Sequence, residues 1–258
     1  MKIVSLLENT TADPRLGAEH GLSLYIEACG RKILVDAGET DLFAANAEVL
    51  GVDLSQVDLA VLSHGHYDHG GGLRRFMELN HKAKIYVSQY AFDEYRDSKD
   101  KYIGIDPTLR ESDRFVLVGE ELSLGDGLTL FACNERPKYV DMGSCGLTMV
   151  RDGVTLPDDF RHEQYLLIEG NGKRVLISGC SHRGILNIAE WFTPDVLVGG
   201  FHFFPLPLDE TLVGYAKYLA QFDTEFYTCH CTGEAQYEFM KPYMSRLHYL
   251  SGGERIEL

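Results

Sequence analysis

The 258-residue chain is 45% hydrophobic and 24% charged, an ordinary balance for a globular protein and long enough to bury a substantial core as one domain. Its formal net charge of −15 opposes nucleic-acid backbones, which call for a basic patch, and no run of Lys and Arg interrupts the acidic field. No stretch approaches the ~20 apolar residues of a membrane span and MKIVSLLENT lacks a signal-peptide core, so a cytoplasmic chain is expected, its six cysteines reduced.

In chain order, residues 2–7, 22–28 and 31–36 read as strands, the last two joined through Cys29-Gly30. Residues 8–21 between the first two form a loop long enough to carry function, and His20 at its end is expected to face the site. Asp36 ends the third strand, where it either bonds the turn or orients a ligating histidine. Residues 42–50 have helical spacing and stop at Gly51.

The apolar run Val57–Leu62 is a buried strand that delivers His64-Gly-His66-Tyr-Asp68-His69, four metal-binding side chains in six residues. His64 and His66, two apart in extended chain, point the same way and suit one ion, while a turn carries Asp68 and His69 toward a second. Gly70-Gly71-Gly72 then leads into a helix over 73–79 and a strand over 84–87. Residues 90–113 are polar and charged, a lid or a solvated helix and loop. Strand character resumes at 115–118 and 128–131, and 134–159 reads as a surface crossing near the site.

Three late strands each end in Gly or Cys followed by His. The hairpin 164–168/174–178 runs into Gly179-Cys180-Ser181-His182, the strand 196–198 into Gly199-Gly200-Phe201-His202, and the strand 225–227 into Cys229-His230, with helices over 185–192 and 211–222 between them. A rigid scaffold would gather these histidines at one sheet edge with His64, His66 and His69.

The HxHxDH run after an apolar strand resembles the metallo-β-lactamase superfamily. Together with Ala18-Glu19-His20-Gly21, Asp36-Ala37-Gly38, the GCSH and GGFH segments and Cys229-His230-Cys231-Thr232-Gly233, it is similar to the branch of metal-dependent hydrolases of β-lactamase superfamily II, dihydropterin-ribofuranosylaminobenzene-phosphate synthase-like. The likeness spans almost the whole chain and is weakest from about 83 to 160. It implies an α/β fold, a four-layer αββα sandwich with metals at one edge of two sheets, over 1–258 as a single domain with a variable lid region at about 88–160.

Carried over by motif, the metal ligands are His64, His66, Asp68, His69, His182 and His230. Cys180 stands where much of the superfamily has a bridging aspartate; His162 is the other candidate for the middle ligand. Two divalent ions are implied, zinc first, with iron or manganese as alternatives, and a thiolate at Cys180 favours zinc or iron over magnesium. Such ions lower the pKa of bound water from about 15.7 toward ~7, so the resemblance implies hydrolysis by a metal-bound hydroxide of a small ester, lactone, amide or phosphate ester. Asp68 would orient the nucleophile, His202 would protonate the leaving group, and His20 and Arg183 would bind a substrate, phosphorylated or not. The alternatives are a synthase joining a dihydropterin to an aminobenzene ribofuranoside phosphate, and a non-catalytic metal-organised binding module. Neither membrane nor nucleic acid is an expected partner, and a homodimer is compatible with the sequence.

Overall fold

The structure is a computed structural model describing residues 1–258. Strands β1 (Lys2–Leu7), β2 (Ser23–Ala28) and β3 (Arg31–Val35) form an antiparallel meander. β4 (Leu59–Val61), β5 (Lys84–Ser88) and, beyond β6 (Glu94–Arg96), β7 (Phe115–Val118) continue that sheet in parallel. The second half repeats the plan. β8 (Glu121–Gly125), β9 (Leu128–Phe131) and, after β10 (Thr148–Arg151) and β11 (Val154–Pro157), β12 (Tyr165–Gly170) and β13 (Lys173–Ile177) are antiparallel. β14 (Val196–Val198), β15 (Glu225–Thr228) and β16 (Leu247–Tyr249) then add in parallel. The last strand, β17 (Arg255–Glu257), returns to pair with β1. The result is two seven-stranded sheets, with β11-β10-β6 as a separate three-stranded sheet.

Side-chain alternation builds the layers. Ile3, Leu24, Ile26, Ile33 and Val35 of the first sheet meet Leu166, Ile168, Val175, Ile177, Val196 and Val198 of the second in one buried cluster. The intervening residues face outward: Val4, Tyr25 and Leu34 pack with Phe43, Ala47, Leu73 and Phe76 of α1 (Leu42–Leu50) and α3 (Leu73–Leu79), which flank the short α2 (Tyr67–Gly70). On the other side Tyr165, Leu167, Leu176 and Leu197 pack against α4 (Ile185–Phe192), α5 (Glu210–Leu219) and α6 (Glu234–Met240). The period of two in each strand thus fills a central layer and one outer layer at once, which is the expected αββα sandwich.

The ends of the strands are punctuated as the residues require. Gly51 closes α1 in the left-handed region at φ 73°. Gly199 (φ 146°) lets the chain after β14 pass so close to β13 that an added Cβ would lie 1.9 Å from the Ser178 carbonyl oxygen. The two sheets are stitched at the same end: Gln164 donates its backbone N–H to the Ser63 carbonyl at 2.8 Å and its side-chain amide to the Leu62 carbonyl at 2.7 Å. Every parallel strand that carries a candidate ligand therefore finishes at this edge.

Candidate metal centre

Beyond β4 the chain runs through Ser63 and His64 to His66, the extended residue that starts α2, whose first turn carries Asp68 and His69. From the second sheet come Cys180 and His182 after β13, His202 after β14 and His230 after β15. Ser181, His202 and His230 all sit at positive φ (58°, 53° and 49°), a cost that non-glycine residues bear where surrounding structure fixes a side chain.

The expected ligands fall into two adjoining sets, each with its donor atoms within 4.8 Å of one another: His64, His66 and His182 in one, Asp68, His69, Cys180 and His230 in the other. All seven are buried. In the second set His69 Nε2 lies 3.1 Å from both Cys180 Sγ and His230 Nε2, and Asp68 Oδ2 lies 3.3 Å from His230 Nε2. In the first, Nε2 of His64, Nε2 of His66 and both ring nitrogens of His182 have no hydrogen-bond partner. Leaving that many buried ring nitrogens unpaired is costly, and a divalent ion would satisfy one nitrogen of each of the three rings.

The ring tautomers agree. The Ser63 hydroxyl donates to Asp36 Oδ2 (2.7 Å) and so accepts from His64 Nδ1 (2.9 Å), turning the lone pair of Nε2 into the site. His69 donates Nδ1–H to Asp36 Oδ2 (2.7 Å), and His230 donates Nδ1–H to Asn9 Oδ1 (2.8 Å). Such outer bonds orient ligating imidazoles and fix which nitrogen is free. Glu8 and Glu163 perform the same service for the backbone, accepting from the N–H groups of His230 (2.6 Å) and His182 (2.7 Å).

Burial, reinforced by the crowding of other imidazoles, pushes His64 and His182 well below the ordinary histidine range. Burial likewise takes His230 to about 4, against the pull of Asp68. Neutral rings are the form that binds metal. His69 differs: burial pushes it down, but the charges of Asp36 and Asp68 outweigh burial and raise it. Asp68 is pushed up by burial and, more strongly, down by His69, His20 and His230, so it stays ionised. Burial holds the Cys180 thiol well above its usual value, so in this pocket a cation is what would make it a thiolate.

A cavity of about 280 Å³ opens over both sets, its lining completed by Tyr67, Ile103, Leu147 and Phe204 among others. A larger cavity, 660 Å³ beside α1 and α3, contains no ligand cluster, so chemistry rather than size selects the smaller one. His202 lines the chosen cavity with its ring centroid 4.2 Å from that of His182 and belongs to neither ligand set. Burial first, then the nearby imidazoles, pushes it to about 4, so its resting form is the neutral ring rather than one poised near neutrality. His20, half exposed, reaches the same cavity with Nε2 3.3 Å from Asp68 Oδ2.

Arg183 is placed differently. Its guanidinium turns away from this cavity, donating to Asn134 Oδ1 (2.6 Å) and the Cys133 carbonyl (3.0 Å), and lines a separate one. The sequence reading passed over Asp158, which with His66 and His162 forms a third cluster. The i, i+4 spacing of Asp158 and His162 was the available signal. His162 Nδ1 accepts the Gly65 N–H at 2.8 Å, so its proton sits on Nε2 and points to Asp158 Oδ2 at 3.2 Å. That leaves His162 no free lone pair.

Comparison with known proteins agrees with the geometry. Residues 16–203 match the family model described as "Metallo-beta-lactamase superfamily". Over 90% of its length the chain is 29% identical to the uncharacterized protein MJ0448 of Methanocaldococcus jannaschii, covering 91% of that protein. It is 27% identical to the 7,8-dihydropterin-6-methyl-4-(beta-D-ribofuranosyl)-aminobenzene-5'-phosphate synthase of the same organism, covering 100% of this chain and 96% of the synthase. Among solved structures it is similar to Tm1679, described as a metal-dependent hydrolase of the β-lactamase superfamily, with a TM-score of 0.85, 28% identity and coverage of 100% and 99% of the two chains. With the αββα layers, the two ligand sets at one sheet edge and a family match over well over half of its residues, the chain belongs to the metallo-β-lactamase superfamily.

Proposed function

We propose that the protein is a metal-dependent hydrolase that holds two divalent ions, zinc before iron or manganese, and cleaves a small ester, lactone, amide or phosphate ester. The observation that carries this reading is the pair of adjoining buried ligand sets opening on a single cavity. His64, His66 and His182 would hold one ion, and Asp68, His69, Cys180 and His230 the other. When bound, the ions supply Lewis acidity and an activated water at neutral pH.

The chain's own groups do the rest. Asp68, ionised and close to His20, His69 and His230, keeps an acceptor at the cavity floor that orients a proton-bearing nucleophile. His202 stands at the wall as a neutral imidazole, able to donate a hydrogen bond to a leaving group or take up a proton. His20, half exposed at the rim, contacts the substrate. Tyr67, Ile103, Leu147 and Phe204 cover the opening and restrict water. Residues 94–96 and 148–157 form the small sheet of the variable region, and Asp97, Ile103 and Leu147, near its strands in sequence, line the cavity.

The full-length similarity to the pterin synthase favours one second reading, joining a dihydropterin to an aminobenzene ribofuranoside phosphate. Elemental analysis of the native protein, followed by assays on ester, lactone, amide and phosphodiester panels and on the pterin condensation, separates the two. Two equivalents of metal with hydrolytic turnover supports the first; condensation without hydrolysis replaces it; metal-free native protein defeats both. No helix is long and apolar enough to cross a membrane.

A further inference from the structure

Beside the metal centre lies a cavity of about 340 Å³ lined by Tyr90, Asn134, Lys138, Asp159, Arg161 and Arg183. In a chain with 39 acidic and 24 basic residues, three cations facing one carboxylate is a local inversion of charge. That carboxylate is already engaged. Asp159 takes Arg161 Nε at 3.0 Å on both oxygens and Arg151 Nη2 at 3.1 Å.

Arg183 is buried, is held by Asn134 and Cys133, has an unpartnered Nε and pairs with no carboxylate side chain through its guanidinium. Lys138 makes no hydrogen bond or ion pair at all within the protein, and partial removal from water followed by the Arg183 charge pushes its ammonium below the ordinary lysine value. A buried guanidinium and a free ammonium that repel one another are stabilised together by an anion between them. Arg161, fixed by Asp159 and lying over the Tyr90 ring at 5.0 Å, adds a third, rigid cation.

The cavity is coupled to the metals through the chain. Arg183 follows His182, and Arg161 lies between His162 and Phe160, whose ring stacks on His182 at 4.5 Å. Neighbouring Cα atoms are ~3.8 Å apart, so the backbone that carries Arg183 is continuous with a ligand of the first ion.

We propose that this cavity is a phosphate-binding site in which Lys138, Arg161 and Arg183 hold a phosphoryl dianion, either on the substrate or as free inorganic phosphate. This deepens the hydrolase reading by naming a phosphorylated substrate, and only the link to catalysis rests on it.

The test titrates inorganic phosphate into the metal-loaded protein by calorimetry and into Lys138→Met, Lys138→Arg, Arg183→Lys and the remote control Arg15→Met. Lys138 is exposed as a residue, only its ammonium being drawn part-way out of water, and it is unbonded, so its variants are expected to melt like the parent with the same metal content. One lost charge-assisted bond should weaken phosphate about tenfold or more in Lys138→Met, with recovery in Lys138→Arg and no change in Arg15→Met. Repeating the titration in His66→Ala separates this site from phosphate bound directly to the ions: Lys138-dependent binding should persist there even if the hydrolase reading fails. A rise of about tenfold in KM for phosphorylated esters alone, with kcat unchanged, assigns the site to the substrate; Lys138-dependent phosphate binding without that rise assigns it to the free ion. Unchanged phosphate affinity in both Lys138→Met and Arg183→Lys overturns the proposal.

Discussion

Asp36→Asn is the substitution that tests the supporting scaffold of the metal centre without touching a ligand. Asp36 is buried at φ 60°, a backbone region that asparagine also accepts, so the exchange imposes no new strain. Its Oδ1 accepts the Ser63 N–H at 2.7 Å, and its Oδ2 accepts both the Ser63 hydroxyl and His69 Nδ1–H at 2.7 Å. An amide has one oxygen for these three donors. If it faces Ser63 N–H, the amide's own N–H groups confront His69; if it faces His69, they confront the Ser63 N–H. At least one buried donor is left without an acceptor in either orientation, costing about 1–3 kcal/mol of a typical total of ~5–15. The larger effect is on the ions. His69 belongs to one ligand set, and Ser63 passes the same constraint to His64 in the other, so both lose orientation. Metal affinity should fall roughly 10–100-fold, the usual scale for such outer partners. Chelator competition with circular dichroism measures this, and Ser63→Ala should weaken mainly the ion bound by His64. A folded Asp36→Asn protein that holds both ions as tightly as the parent would refute the reasoning.

His66→Ala should lose metal and activity together, while His81→Ala, altering an exposed residue outside both ligand sets, should lose neither; elemental analysis and turnover check both, and parental metal content in the His66 variant would remove it from the ligands. His202→Ala should keep full metal content and lower kcat by roughly 10²-fold or more, the scale of a lost acid or base; one ion fewer would make it a ligand instead. Random-sequence duplex DNA or RNA should not bind strongly at physiological salt, because the net charge of −15 repels phosphates and the basic cavity admits one or two at most. Submicromolar, steeply salt-dependent binding in a fluorescence titration would contradict that.

The layered fold was legible where one face of a strand differs from the other or where an element has a chemical stop. β1, β3, α1 and α4 lie within one residue of their expected limits, and Gly51 caps α1 as expected. α5 ends at Leu219 rather than at 222, because Gln221 and Phe222 donate to carbonyls three residues back and tighten the chain out of the helix. The surface crossing expected over 134–159 instead contains the hairpin β10–β11. Every residue of β11 is exposed, so it carries no burial pattern to read. Its turn did leave a mark: Asp152-Gly153, at φ 53° and 75°, is the Asp-Gly pair that favours a tight hairpin.

The ligands were visible as residue types at strand ends, and the GCSH motif favoured His182 over His162, but the physical reason for that choice was not visible. Both histidines are buried near His66, and either could be written into a three-histidine set from spacing alone. What separates them is a proton. The Gly65 N–H, 97 residues away in sequence, donates to His162 Nδ1 and forces the ring's own hydrogen onto Nε2, where Asp158 receives it. Binding an ion through Nε2 would require moving that proton to Nδ1, where it would meet the Gly65 N–H head-on and leave two donors facing each other. His182 meets no such obstacle: both its ring nitrogens are unpartnered, its backbone N–H is held by Glu163, and Phe160 stacks on its face at 4.5 Å. A backbone donor therefore argues for His182 as the ligand and makes Asp158–His162 a brace behind His66. No pattern of residue types could have shown this, because the deciding hydrogen bond links two strand ends from different sheets.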